Sequence, residues 1–276
     1  MGSVARYLEA MPIHRRDFLR SAAVAAAAAL PTTESLALDA TTRDARTYLE
    51  LRCYRLKPGA SHTLLDNYLE QALIPALNRR GVKDVGVFTE PTAKDGPAVW
   101  MLIPHRSLDA MSGINDAINA DAAVLAAGAE YLRVGKADAA YDRIDTWLHI
   151  AFAGLPRLVV PALTREKRAR IFELRIYESF SEVTALKKVA MFNAGEIEVM
   201  QQVGLSPVFY GQALVGRDLP HLSYMLCSAD RAAHDTNWKA YLAHPVWKRL
   251  VADPQYADTD SKITSRFLEP TTYSQL

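Results

Sequence analysis

The sequence predicts an α+β chain in which two tandem β-α-β-β-α-β units pack the open faces of their sheets together. Three observations carry that prediction. The segment Tyr48-Leu49-Glu50-Leu51-Arg52-Cys53-Tyr54 returns 123 residues later as Ile171-Phe172-Glu173-Leu174-Arg175-Ile176-Tyr177. Val99-Trp100-Met101-Leu102-Ile103 returns as Ser223-Tyr224-Met225-Leu226-Cys227, an offset of 124. Both copies then run through the same alternation of strand and helix periodicity. Two motifs at nearly one offset indicate duplication of a unit of about 110 to 120 residues, the size of an ordinary domain.

Each element has a local reason. In the first motif Leu49, Leu51 and Cys53 alternate with Glu50, Arg52 and Tyr54, the period of a strand with one face in the core. After the turn Lys57-Pro58-Gly59, the run from Ser61 to Arg80 places Leu64, Leu65, Tyr68, Leu69, Ala72, Leu73, Ala76 and Leu77 at helical spacing, with Gly81 as the stop. Pro75 inside that run predicts a kink or a shift of the hydrogen bonding by one turn. In the second copy Ser179 and Glu182 read as a capping box, Val183, Leu186, Val189, Ile197, Met200 and Val203 as the buried stripe, and Gly204 as the stop. The β-rich stretches 85–89 and 207–214 lead through Asp95-Gly96-Pro97 or Arg217-Asp218-Leu219-Pro220 into the second repeated strand, a hairpin. Helical runs follow at 108–118, 122–131 and 231–250, and closing strands at 146–152 and 263–268. This order is the ferredoxin-like split unit, covered by helices on one face only, so the other face needs a partner from the second copy or from a homodimer.

Composition excludes several classes. Half of the 276 residues are apolar and 23% charged, which describes a globular chain, and 32 basic against 31 acidic residues leave no field to attract nucleic acid. Cys53 and Cys227 form no metal-ligand pair and are expected as separate, partly buried thiols.

The N-terminal segment His14-Arg15-Arg16-Asp17-Phe18-Leu19-Arg20, followed by the small apolar run 21–30, resembles a twin-arginine export signal, with Arg15 and Arg16 as its pair. That run is too short to span a bilayer, and no later run reaches spanning length. Residues 1–40 are therefore expected to be a signal peptide read by the twin-arginine machinery, cleaved after Ala37 or near Ala40, with Met1 or Met11 as the start. The mature chain is expected in the periplasm or otherwise exported. The remainder divides into a first, degenerate unit at 46–158, a linker at 159–169 containing the charged run Arg165-Glu166-Lys167-Arg168-Ala169-Arg170, and a second unit at 170–276.

The E-L-R-x-Y strand, the aromatic-rich hairpin, Trp238, His244-Pro245-Val246-Trp247 and the ending Phe267-Leu268-Glu269-Pro270-Thr271-Thr272-Tyr273-Ser274 resemble the NIPSNAP family. The resemblance lies mostly in the second unit and implies a dimeric α+β barrel of ferredoxin-like type, with the sheets face to face. It implies no settled activity, and fold does not give function.

No GxGxxG, P-loop, HExxH or GxSxG is present, so nucleotide, zinc-protease and serine-hydrolase chemistry lack their required geometry. His234 and His244 lie ten residues apart, too far along a helix to share a metal, so no metal site is expected; a lone histidine could still hold haem axially. Glu50, Arg52 and Tyr54, with Glu173, Arg175 and Tyr177, are expected to point toward the second sheet or the barrel interior. There they either orient an anionic or phenolic ligand or pair across the interface. Trp238, Tyr241, His244 and Trp247 follow one another every three residues, as core or as the wall of a pocket. Two readings remain. One is binding or conversion of a small molecule, of oxygenase or isomerase type, in a barrel pocket with His234 or Tyr177 exchanging protons and Arg175, His244 and Trp247 holding the ligand. The other is a non-catalytic interaction module of the cell envelope.

Overall fold

The computed structural model describes residues 46–93 and 95–276; the export signal lies outside them. The eight strands are β1 (Tyr48–Leu56), β2 (Gly86–Thr89), β3 (Ala98–His105), β4 (Tyr141–Ala151), β5 (Ile171–Glu178), β6 (Ser206–Val215), β7 (His221–Ser228) and β8 (Lys262–Pro270). They close into one antiparallel barrel in the order β1-β3-β2-β8-β5-β7-β6-β4. Each half keeps the ferredoxin-like strand order, and the halves join where β2 meets β8 and β4 meets β6. The partner that each open sheet needs is thus supplied within the chain, and closure removes the free edges.

The barrel is filled. Leu49, Leu51, Cys53, Phe88, Trp100, Phe172, Leu174, Phe209, Met225 and Cys227 form one buried cluster drawn from both halves, with the Phe88 and Phe172 rings 4.8 Å apart. Leu158, Val160 and Leu163, on the segment between the halves, pack against it. Both cysteines are free and buried inside, and burial pushes each thiol up to about 12. This packing corrects one expectation: the Glu-Arg-Tyr faces of β1 and β5 point outward, beneath the helices, because a small eight-stranded barrel has room inside only for its own side chains.

Helix α1 runs as Thr63–Tyr68, a π-helical turn at Leu69–Leu73 and Ile74–Arg79. Pro75 sits in the first turn of the last piece, so the expected disturbance takes the form of a widened turn upstream. Helix α4 repeats this 123 residues later as Glu182–Met191, a π-turn at Phe192–Glu196 and Ile197–Gln202. It has no proline; Gly195, at φ 140°, takes the conformation that other residues avoid. The extra residue of the π-turn also shifts the helix phase. No single 3.6-residue stripe fits both sides of it, so Val183 and Leu186 are exposed while Ala185, Lys188 and Met191 are buried. The capping box uses Ser181 with Thr184; Ser179 instead donates to the Thr259 carbonyl at 2.7 Å.

Helices α2 (Leu108–Asn119) and α3 (Ala122–Ala127) cover the first half, and α5 (Arg231–Ala243) and α6 (Pro245–Ala252) the second. The strand registers set the true offset of the repeat. Cys53 lies opposite Trp100 and Ile176 opposite Ser223, so β3 and β7 correspond at 123 residues, not 124. A slip of one residue exchanges the two faces of a strand. At the closing strands, Arg52 faces Thr146 and Arg175 faces Ser265, an offset of 119. Among the described residues, no helix is long and apolar enough to cross a membrane.

Candidate functional site

Between the outer face of the second half-sheet and its helices lies a cavity of about 540 Å³, a volume suited to a small organic ligand. Arg175 and Tyr177 of β5, Lys188 of α4, Trp238 and Tyr241 of α5, Trp247 of α6, and Asp260 before β8 line it. A larger hollow of about 650 Å³ between the ends of α1 and α2 contains none of these residues.

A polar network stands behind the cavity. Glu173, 2% exposed, accepts from Arg175 Nη1 at 2.8 Å and from the Ser265 hydroxyl at 2.5 Å, and its other oxygen meets His234 Nε2 at 2.8 Å. Burial pushes the Glu173 carboxyl up, but these partners more than offset it and leave the group below its usual range. Burial pulls His234 down, and the Glu173 and Asp235 carboxylates outweigh that and raise it. Arg175 Nε donates to the Tyr177 hydroxyl at 3.2 Å, which bonds to the Tyr224 hydroxyl at 2.9 Å, and the Arg175 guanidinium lies 4.4 Å over the Trp238 ring. Burial pushes the Tyr177 hydroxyl up to about 12.

Lys188 and Glu196 are the charged side chains that α4 carries inward. Lys188, 4% exposed, places Nζ 3.4 Å from Asp260 Oδ2 and near the rings of Tyr177, Phe192 and Trp247. Glu196, 1% exposed, accepts from the Tyr241 hydroxyl at 2.7 Å, and its second oxygen is buried with no partner among the described residues. Burial pushes its carboxyl up to about 7, partly opposed by Lys188 and Tyr241.

Of the residues expected at a site, the structure brings Arg175, Tyr177 and Trp247 together on the cavity wall. His234 sits behind it, both ring nitrogens engaged by Glu173 and Asp235, and stacks on Trp238. With no free ring nitrogen, it does not fit an axial haem ligand. His244 leaves the aromatic row because the helix breaks there: it caps α6, its Nδ1 accepting from Val246 N at 3.3 Å. Its counterpart Asp121 caps α3 in the same way. Trp238, Tyr241 and Trp247 still touch, with ring centres 5.1 Å and 4.6 Å apart. Among the described residues, no group of three or more histidines, cysteines or carboxylates could hold a metal.

Lys188, Glu196 and Asp260 escaped the sequence reading. A signal for the first two was present: at an offset of 123 they stand where the first copy has Leu65 and Leu73, both buried. Tyr224, Tyr241 and Trp247 likewise stand opposite Met101, Ile118 and Val124. The first half fills the corresponding space. Tyr68 stacks on Tyr131 at 4.3 Å and Tyr54 packs edge-on to Tyr141, leaving a cleft of about 60 Å³ beside Tyr68 and Tyr131; a neighbouring surface hollow of about 600 Å³, along 57–67 and 137–140, is not lined by Arg52, Tyr54, Leu65, Ile118 or Val124. The Glu-Arg pair persists there, but the histidine on Glu50 is His105, from the end of β3.

Comparison with known proteins bears on fold and family. A candidate monooxygenase from Fusobacterium nucleatum has a similar structure, at 8% identity and a TM-score of 0.53 over 82% of this chain and 92% of that one. A second, from Lactobacillus acidophilus, gives 7% and 0.52 over 82% and 94%. At such identity they show the shared fold alone. A NIPSNAP-like domain protein from Burkholderia xenovorans is 20% identical over 39% of this chain and 90% of that one, with a TM-score of 0.35. No curated protein matches the chain. The twin-arginine translocation signal matches residues 12–31 and directs export across the membrane to the periplasm. Residues 172–275 match the NIPSNAP family model, and the chain is an exported protein carrying a NIPSNAP domain in the second half of its barrel.

Proposed function

We propose that the exported chain binds, and exchanges protons with, a small acidic molecule, a carboxylate or phenolate, in the cavity of the second half. The observation that carries this reading is the contrast between the two copies. Where the first copy seals the space with Leu65, Leu73, Ile118 and Val124, the second keeps it open and turns Lys188, Glu196, Tyr241 and Trp247 toward or beneath it. Buried charge is costly when a leucine at the same position folds well, so its retention supports a role in holding a ligand.

In this reading Lys188 and Arg175 attract the acid group, Trp238 and Trp247 flank its flat part, and Tyr177 donates a hydrogen bond. His234 positions Arg175 through their shared carboxylate, Glu173. The chemistry supplied by the chain is proton transfer, with Glu196 held near neutrality behind Tyr241.

Native mass spectrometry of protein purified from the periplasm, with tryptophan fluorescence on titration with benzoate, tests the reading. A co-purified acid or saturable quenching that Lys188→Leu abolishes supports it. Ligand-free protein that no acid quenches removes it and leaves the interaction-module reading.

A further inference from the structure

The lip of the cavity differs from its floor. Leu242 of α5, Val251 of α6 and Ile263 of β8 all line it, yet are 45%, 56% and 49% exposed. Three large apolar side chains from three elements thus meet water around one opening. Single exposed apolar residues are commonplace, but a convergent group at a cavity mouth marks a surface that something apolar covers.

The first copy provides the comparison again. At the offset of 123, Leu242 stands opposite the exposed Asn119 and Val251 opposite Gly128. A side chain at Gly128 would meet the Tyr68 ring at 2.8 Å. Only the strand position stays apolar, Ile263 corresponding to Ile144 at the offset of 119. The two helix-borne parts of the lip therefore occur in the half that has the cavity, where they extend its aromatic wall outward. The polar groups are set inside: Lys188 is 4% exposed, and the side chain of Arg175 15%.

Resting on the function proposed above, we infer that the ligand is an amphiphilic acid, its charged head inside against Lys188 and its apolar body laid across Leu242, Val251 and Ile263. A head group alone would leave the lip wet. An apolar molecule without a head would cover the Lys188 ammonium with hydrocarbon and leave it Asp260, at 3.4 Å, as its sole ion-pair partner among the described residues. An amphiphile with its head inward satisfies both.

Benzoate, 4-butylbenzoate and 4-octylbenzoate, titrated against the mature protein by calorimetry below their micelle concentrations, test the inference. Affinity is expected to rise about two- to fourfold for each methylene, the upper figure corresponding to full burial. Leu242→Asn combined with Val251→Thr should flatten that rise, weakening 4-octylbenzoate at least tenfold more than benzoate. Lys188→Leu should instead weaken all three by a similar factor. Benzoate binding with no gain along the series, or a gain that persists in the lip variant, overturns the amphiphile and leaves the cavity reading standing. Failure of all three acids to bind overturns both.

Discussion

Glu196 Oε1 accepts a 2.7 Å hydrogen bond from the Tyr241 hydroxyl, while its second carboxylate oxygen is buried without a partner among the described residues. An ionised carboxylate in that position is under-solvated, and burial accordingly pushes the group up to about 7. Lys188 of α4, Arg175 and Tyr177 of β5, Tyr210 of β6, Tyr224 of β7, Tyr241 of α5 and Asp260 before β8 surround it.

The first prediction follows from the sign of that shift. A carboxyl raised in the folded state contributes stability that is complete below its unfolded value, near 4.5, and is lost as pH rises through about 7. Across that window wild type should lose roughly 3 kcal/mol relative to Glu196→Gln, whose side chain does not titrate. Urea unfolding of both proteins from pH 4.5 to 8 measures the difference. Parallel pH profiles would show that the Glu196 carboxyl titrates alike in the folded and unfolded states, and the upward shift would fall.

The second prediction concerns Lys188. If the ammonium is retained for a ligand, the Leu65 counterpart shows what the fold itself prefers there. Lys188→Leu combined with Asp260→Asn should stabilise the ligand-free protein by about 1 to 2 kcal/mol, because neutral side chains replace the buried ion together with its counter-ion at 3.4 Å. A loss of similar size in thermal or urea unfolding would make the pair part of the packing.

The strands and the closing of two half-sheets were legible because the period of two in Leu49-Glu50-Leu51-Arg52-Cys53-Tyr54 is local and appears twice. Which face turned inward was not. Alternation separates the faces without labelling them, and the barrel interior took the apolar set while helices covered the polar one. Residue type pointed to Arg175 and Trp247 as ligand holders and to Tyr177 as a proton exchanger, and all three line the cavity. Lys188 and Glu196 were missed because the π-turn breaks the helix period and hides two charges in an apolar stripe. Carrying the 123-residue offset of the first motif on into the helix would have exposed both as replacements of leucine. His244 was misplaced because equal spacing in sequence does not continue through the break at Pro245.

That break gives the third prediction. His244 and Asp121 cap corresponding helices, so His244→Asp should keep stability, while His244→Ala should cost about 1 kcal/mol. Neither change should alter benzoate affinity by more than about twofold, which calorimetry would measure. A tenfold loss with unchanged stability would return His244 to the ligand.

The last prediction uses the carboxylate that Arg175 and His234 share. Glu173 meets His234 Nε2 at 2.8 Å and Arg175 Nη1 at 2.8 Å, and the pair with His234 holds the imidazole in its charged form to a higher pH than usual. A histidine raised in the folded state contributes stability that is complete below its unfolded value, near 6.5, and is lost as pH rises through its folded one. Glu173→Gln keeps the shape and removes the charge. The His234 ring, followed by NMR, should then titrate below its wild-type midpoint, and the fall in stability above pH 6.5 should shrink to the part that Asp235 supports. Because the neutral amide would leave the buried Arg175 without its counter-ion, the variant should also lose roughly 3 to 5 kcal/mol overall. Arg175→Ala separates the two partners: Glu173 keeps His234 and Ser265, so the imidazole should titrate at or above its wild-type midpoint while acid binding falls. If His234 titrated identically in wild type and Glu173→Gln, the carboxylate would not be the link between them, and the positioning role assigned to His234 would fall with it.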